Sequence, residues 1–354
     1  MYSGCNKFKE FYYFGIKHSK RLSKMINLEN GIPSHDTMER AMHRIKSEEF
    51  NNLVFKYVYD FLPDVIHVCI DGKFVKATKD VCNNNQAIDI ISAHVAGIKV
   101  NIYSEQALTK ESNKTETSIM KVVLEKLYDK LKGKKVIITI DAIAAVNPIL
   151  SKIVSYGWDY IICIKKRNKG NKNWGMYEQV KDEFETLDKK DYYIVSENKN
   201  GRTETRKYLV KHDLQYIEIL DKWPTVKGIG KLESISVNNK TGVVSKDVRY
   251  FLFSNPFTKE KFAKVQREHW QIESFHYILD NSFREDRMRM KKGSSTLNTN
   301  LLRKFVTNIL SINLANSTYG YVTSHRDRCK ILSSPQEILY SIINPSKSPK
   351  IMDF

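Results

Sequence analysis

Three carboxylates stand where metal-assisted chemistry on a phosphodiester could be done: Asp71, Asp141 and Glu273. Asp71 follows the apolar run Val65-Ile66-His67-Val68-Cys69-Ile70, and Asp141 follows Lys135-Val136-Ile137-Ile138-Thr139-Ile140. Each is therefore expected at the C-terminal end of a buried strand, where sites form in open α/β sheets. Glu273 is expected on an amphipathic helix. Val265, Ile272, Phe275 and Leu279 form its apolar stripe, with His269, Glu273, His276 and Asp280 on a neighbouring face. Short aspartates are held firmly at strand ends, and the longer glutamate gives a more distant helix its reach. Such a trio can hold two divalent cations about 4 Å apart, which activate a water or a 3′-hydroxyl and stabilise the leaving oxygen. Magnesium suits hard oxygen ligands and keeps several waters, and manganese is the alternative ion.

The same residues admit other readings. An aspartate after an apolar strand is commonly a solvated turn residue. Glu273-Ser274-Phe275-His276 is a Glu-x-x-His pair, but a di-iron bundle needs a second such pair and none is suitably placed. Trp270 and Tyr277 read as packing residues.

The elements that must position the trio follow from periodicity. Residues 1–64 read as a helical segment, with Ser34 as an N-cap after the turn Asn30-Gly31-Ile32-Pro33. Met38, Met42, Ile45, Phe50, Leu53, Val54 and Val58 mark its buried side. Strands are expected over 65–70, 87–95 and 98–103 as an antiparallel meander. A helix then spans Thr115 to Lys132, a strand 135–140, a helix 144–155 and a strand 159–164. Three antiparallel strands followed by β-α-β in a mixed sheet is an α/β, RNase H-like core, its first part covering 65–175. Residues 176–256 read as a β-rich insertion after a helix at 178–187. Residues 257–315 read as the glutamate-bearing helices that complete the core, and 316–354 as a C-terminal tail.

Composition names the partner class. The formal net charge of +18 over 354 residues calls for a polyanion. No apolar run approaches the length that spans a bilayer, and the N-terminus lacks the apolar core of a signal peptide. No membrane association is expected. Five cysteines, an odd number without a Cys-x-x-Cys pair, argue against a disulfide framework or a zinc site and for a reducing cytoplasm. Nucleic acid is therefore the expected partner. The expected DNA-binding residues are Lys73, Lys165, Lys166, Arg167, Arg267, His269, Arg284, Arg287, Arg289, Lys291 and Lys292. Glu285 and Asp286 are expected to orient Arg284 and Arg287 by ion pairing.

In Asn30-Gly31-Ile32-Pro33-Ser34-His35-Asp36-Thr37, Ile70-Asp71-Gly72-Lys73, Lys110-Glu111-Ser112-Asn113, Thr139-Ile140-Asp141-Ala142, His269-Trp270-Gln271-Ile272-Glu273 and Phe283-Arg284-Glu285-Asp286, the chain resembles the H-repeat-associated family of bacterial insertion-sequence transposases, of the DDE class. Each motif alone is short; all of them in order make the resemblance. It implies Asp71, Asp141 and Glu273 as catalytic metal ligands, with magnesium or manganese, a pair of ions, as cofactor. It further implies double-stranded DNA as partner (the element's terminal repeats and its target), a homo-oligomer assembled on that DNA, and a cytoplasmic, nucleoid-associated protein. The chain departs from the family pattern at Ala144, Val146, Ser274 and Lys165-Lys166-Arg167-Asn168, and the family's helical segment begins earlier. Those departures keep two alternatives: a catalytically impaired, DNA-binding remnant, and an RNase H-like nuclease.

Overall fold

The computed structural model describes residues 1, 3–79, 87–107, 116–142, 146–166, 174–187, 191–288, 290 and 294–316. Four helices come first: α1 (Phe8–Lys17), α2 (Ser19–Leu22), α3 (His35–Arg44) and α4 (Ser47–Tyr59). Then follow β1 (Val65–Val75), β2 (Ile88–Val95), β3 (Val100–Gln106), α5 (Glu116–Lys130), β4 (Lys135–Ile140), α6 (Asn147–Ser155), β5 (Asp159–Ile164) and α7 (Trp174–Glu185). Strands β6 (Tyr193–Lys199), β7 (Arg202–Lys211), β8 (Gly228–Asn238) and β9 (Val244–Phe253) precede α8 (Lys259–His269), α9 (Gln271–Asn281) and α10 (Ser295–Asn316).

Two compact units result. One comprises Met1–Pro63, Gly72–Lys114 and Gln271–Phe354, the other Asp64–Asp71 and Thr115–Trp270. The strands are ordered β3-β2-β1-β4-β5-β9-β8-β7-β6, and β1 contributes residues to both units. Its first half pairs with β4 in parallel, Val65↔Lys135 through Ile70↔Ile140, and β4 pairs in parallel with β5. With β2 and β3 antiparallel, this is a mixed α/β, RNase H-like core. Strand β9 runs antiparallel to β5 and β8 antiparallel to β9, so β6–β9 extend the sheet of that unit.

Local chemistry explains the boundaries. The Ser34 hydroxyl accepts from the Thr37 N–H and starts α3. Gly133, at φ +84°, allows the left-handed turn that ends α5. Pro148 occupies the first turn of α6, where its missing N–H costs nothing. The core of the second unit gathers on Phe262 of α8, whose ring meets Phe251 at 4.8 Å and Phe253 at 5.0 Å between centroids. Gly230 lets these rings approach, since a Cβ there would fall 2.4 Å from Phe253 Cζ.

Four expectations need correction. Strand β1 does not stop at Ile70 but runs to Val75. Asp71 therefore ends only the stretch paired with β4, and Gly72–Val75 continues beside β2, where a Cβ on Gly72 would meet the Asp89 carboxylate at 3.2 Å. Leu53 is not on the buried side of α4: it is 55% exposed, whereas Asn51 is 2% exposed. The Asn51 amide satisfies the Ser104 backbone, donating to its carbonyl at 2.9 Å and accepting from its N–H at 3.0 Å. The helix over 144–155 is described from Asn147. Finally, the single helix expected through His269 and Glu273 is two helices, α8 and α9, with the break at Trp270. The residues Lys110–Asn113 and the tail from 317 lie outside the described residues.

Candidate active site

The parallel register of β1 and β4 decides where the two aspartates stand. Cys69↔Thr139 and Ile70↔Ile140 are partners, so Asp71 on β1 and Asp141, the residue after β4, come next beyond the paired stretch. Asp71, two residues beyond Cys69 within β1, faces the same side of the sheet as Cys69 and His67. The next parallel strand, β5, ends at Ile164 and is followed by Lys165. Lys165 Nζ lies 3.0 Å from Asp141 Oδ1. Both groups are open to solvent, and Asp141 Oδ1 also accepts from the Ala142 N–H at 2.6 Å. Two carboxylates and a cation thus sit where the parallel pairing of β1, β4 and β5 runs out.

A hydrogen-bonded chain lies on the same face. His67 Nδ1 is 3.1 Å from Glu268 Oε2, His67 Nε2 is 2.9 Å from Thr139 Oγ1, and Thr139 Oγ1 is 2.8 Å from His269 Nδ1. Burial lowers the pKa of His67, against the pull of Glu268, and burial takes His269 down to about 4. With both rings neutral, the protons can be assigned. A carboxylate only accepts, so His67 Nδ1–H donates to Glu268, leaving Nε2 to accept from the Thr139 hydroxyl. Thr139 then accepts from His269 Nδ1–H. Bonded to His67, Glu268 stays ionised below the usual carboxylate range despite partial burial. Cys69 beside them is inert, its thiol pushed up to about 12 by burial. None of His67, Thr139 or Glu268 was singled out from sequence. The signal available was polar residues at positions 67 and 139 within runs otherwise suited to a core.

Glu273 lies on α9 in the other unit. It is exposed, while Ile272, Phe275 and Leu279 on the opposite side are buried. Among the described residues no group of three or more His, Cys, Asp or Glu side chains stands ready as a metal site.

The expected DNA-binding residues divide. Lys165 and Lys166 are exposed, the latter 3.2 Å from Glu178. Arg267 is 44% exposed and pairs with Glu197 at 3.2 Å. Arg284 and Arg287 are exposed, and among the described residues neither pairs with a carboxylate. Two expectations are overturned. His269 is neutral and turned onto Thr139, so it offers no cation to a phosphate. The Lys73 side chain is only 13% exposed, and its ammonium is already held by Asp280, Glu285 and Asp286. Glu285 and Asp286 consequently serve Lys73 and Lys76 rather than Arg284 and Arg287. Trp270 and Tyr277 are exposed rather than packed, and the Arg249 guanidinium sits 5.4 Å from the Trp270 ring. Arg167, Arg289, Lys291 and Lys292 lie outside the described residues.

Residues 64–309 match the family profile described as "Transposase DDE domain", and residues 1–58 match the one described as "DDE_Tnp_1-associated". The chain belongs to the DDE transposase family. Among relatives of this transposase are YbfL and the H repeat-associated protein YhhI of Escherichia coli (strain K12). Each is 30% identical over 319 residues, spanning 87% of this chain and 81% of the relative. YncI of Escherichia coli O157:H7 is 27% identical over 317 residues, spanning 87% of this chain and 78% of its own. As a DDE transposase the protein is an insertion-sequence enzyme of the polynucleotidyl transferase and endonuclease class, and divalent-metal dependence goes with that class. Asp71 and Asp141 offer carboxylate oxygens, the donor type that suits a hard divalent ion. No described helix of the transposase is long and apolar enough to cross a membrane.

Proposed function

We propose that this transposase binds the terminal repeats of its element as double-stranded DNA, cleaves strands there and joins the 3′ ends to target DNA, using Asp71, Asp141 and Glu273. What supports the reading is the register Ile70↔Ile140, the last parallel pair of β1 and β4, which an aspartate follows in each segment. The three carboxylates hold magnesium or manganese, a pair of ions in this reading. When bound, these ions supply Lewis-acid stabilisation of charge on the attacking and leaving oxygens of an in-line displacement at phosphorus. Lys165, on Asp141, offers its ammonium to the non-bridging phosphate oxygens of a strand lying across the strand ends. Lys166, Arg267, Arg284 and Arg287 hold the backbone of that strand and fix its register without reading bases. The protein assembles as a homo-oligomer on paired ends and associates with the nucleoid.

The test is strand cleavage by purified protein on its own element's ends, with magnesium or manganese and with chelator. Metal-dependent nicking that Asp71→Asn, Asp141→Asn and Glu273→Gln each abolish is expected. Binding to the ends without cleavage under any metal would instead favour the DNA-binding remnant, and cleavage without strand transfer the nuclease.

A further inference from the structure

Lys73 has a setting that DNA contact does not explain. It follows Asp71 by two residues on β1, and its side chain is 13% exposed. Its ammonium lies 2.7 Å from Glu285 Oε2 and 3.7 Å from Asp286 Oδ1, and also bonds Asp280 Oδ1. Glu285 is 1% exposed, and its other oxygen accepts from Asn300 Nδ2 of α10 at 2.5 Å. Asp286 in turn holds Lys76 Nζ at 2.8 Å. Burial works against the charge on Lys73, but Glu285 and Asp280 outweigh it and keep its pKa above the usual lysine range.

The backbone is shaped to build this cluster. Arg284 is left-handed, φ +51°, a conformation that costs a non-glycine residue stability. It allows Phe283 and Glu285 on either side of it both to be buried, at 1% exposure each, while its own side chain faces solvent. Phe283 joins Phe275 and Leu279 of α9 and Ile309 and Leu310 of α10 in one apolar cluster. The turn thus puts a greasy anchor under α9 and a carboxylate on Lys73.

Asp280 makes the connection to chemistry. It lies seven residues after Glu273 on α9, two helical turns on the same face and about 10 Å along the axis. We infer that Lys73 is a positioning residue of the transposase: by gathering Asp280, Glu285 and Asp286 it fixes the roll and tilt of α9, and so of Glu273, against the Gly72–Val75 stretch of β1. The inference rests on the catalytic role proposed for Glu273. The Asp-Gly-Lys sequence then has a divided use, with the aspartate as metal ligand and the lysine as the tie to the helix that carries another.

The experiment compares full-length wild type with Lys73→Gln, Lys73→Arg and the double variant Lys73→Gln/Glu285→Gln, which removes both charges of the Lys73–Glu285 pair together. Three quantities are read: amide hydrogen exchange over α9, affinity for element ends, and single-turnover cleavage with manganese. In Lys73→Gln, exchange over 271–281 accelerates, DNA affinity stays within about twofold, and cleavage falls about a hundredfold, the scale expected of an ångström-sized misplacement. Lys73→Arg recovers most of the rate, and the double variant folds but stays slow. Unchanged exchange over α9 overturns the inference whether or not the wild type cleaves. So does full cleavage by the double variant, or a loss of DNA affinity with a shallower salt dependence, which would mark Lys73 as a phosphate contact. A wild type that binds ends but never cleaves them counts against the proposed function, while exchange still judges Lys73.

Discussion

Thr139 Oγ1 lies 2.8 Å from His269 Nδ1 and 2.9 Å from His67 Nε2, joining the end of α8 to strands β1 and β4 through one hydroxyl. The hydroxyl donates to one ring and accepts from the other, so removing it leaves two ring nitrogens without their partner. Each buried, unsatisfied polar group costs about 1–3 kcal/mol. Thr139→Val, close in volume, is therefore expected to lower unfolding stability by about 2–4 kcal/mol, with Thr139→Ser near wild type. Urea denaturation of the three proteins checks this. Equal midpoints for Val and wild type would mean that the chain carries no stability.

Asp141 combines exposure, a neighbouring aspartate and Lys165 at 3.0 Å. Asp141→Asn keeps the shape and removes one negative charge from a surface proposed to face phosphates. Cleavage is expected to vanish while affinity for DNA is equal or higher, because Lys165 is freed from its partner. Anisotropy titrations beside cleavage assays decide it. If the variant stays folded but loses DNA binding, Asp141 has a structural rather than a catalytic role.

The bounds of β4 and β5 were legible in the sequence because a compact hydrophobic run is a local feature, whereas β1 runs past its apolar stretch to Val75. Lys135–Ile140 and Asp159–Ile164 occur with the expected bounds. What the sequence could not display was the use made of polar residues by partners far along the chain. Asn51 looks like a solvent residue until Ser104 meets it, and Lys73 looks like a phosphate contact until Asp280 and Glu285 surround it. His269 reads as part of a continuous polar helix face, yet the chain breaks at Trp270 just after His269 bonds Thr139. The convergence of Glu273 with the aspartates rests on the proposal and its cleavage test.

Lys304 gives the fold a pH dependence of known sign. On α10, it is fully buried, donating to Ser92 Oγ at 2.6 Å and Ser104 Oγ at 2.8 Å. Burial takes its pKa from the 10.5 of a free lysine down to about 7, against the pull of Glu285. Between these values the unfolded chain binds a proton that the folded protein does not. Stability from this group is thus present at high pH and lost as pH falls towards 7, with a limiting slope of about 1.4 kcal/mol per pH unit. Denaturant unfolding at pH 7.5, 8.5 and 9.5 should show the rise, and Lys304→Met should flatten it. A wild-type profile no steeper than that of the variant would show that Lys304 does not titrate with folding.

Arg284 and Arg287 flank the buried Glu285 and face solvent, and Glu285 is occupied by Lys73 and Asn300. Their guanidinium groups are therefore available to a phosphate in a way that Lys73 is not. Each phosphate neutralised on duplex DNA releases condensed counterions, so each lost contact flattens the slope of log K against log salt by about 0.9. Arg284→Gln and Arg287→Gln should each do so, and the double variant by about twice as much. Weakening should be equal on element ends and on unrelated DNA, because phosphate contacts carry no base readout. Lys73→Gln is the internal control, since its ammonium never reaches the phosphate and its salt slope should match wild type. Anisotropy titrations across a salt series measure the four variants and wild type on both DNAs. An unchanged slope in both arginine variants would make this turn a solvated surface, and weakening confined to element ends would make it a reader of sequence.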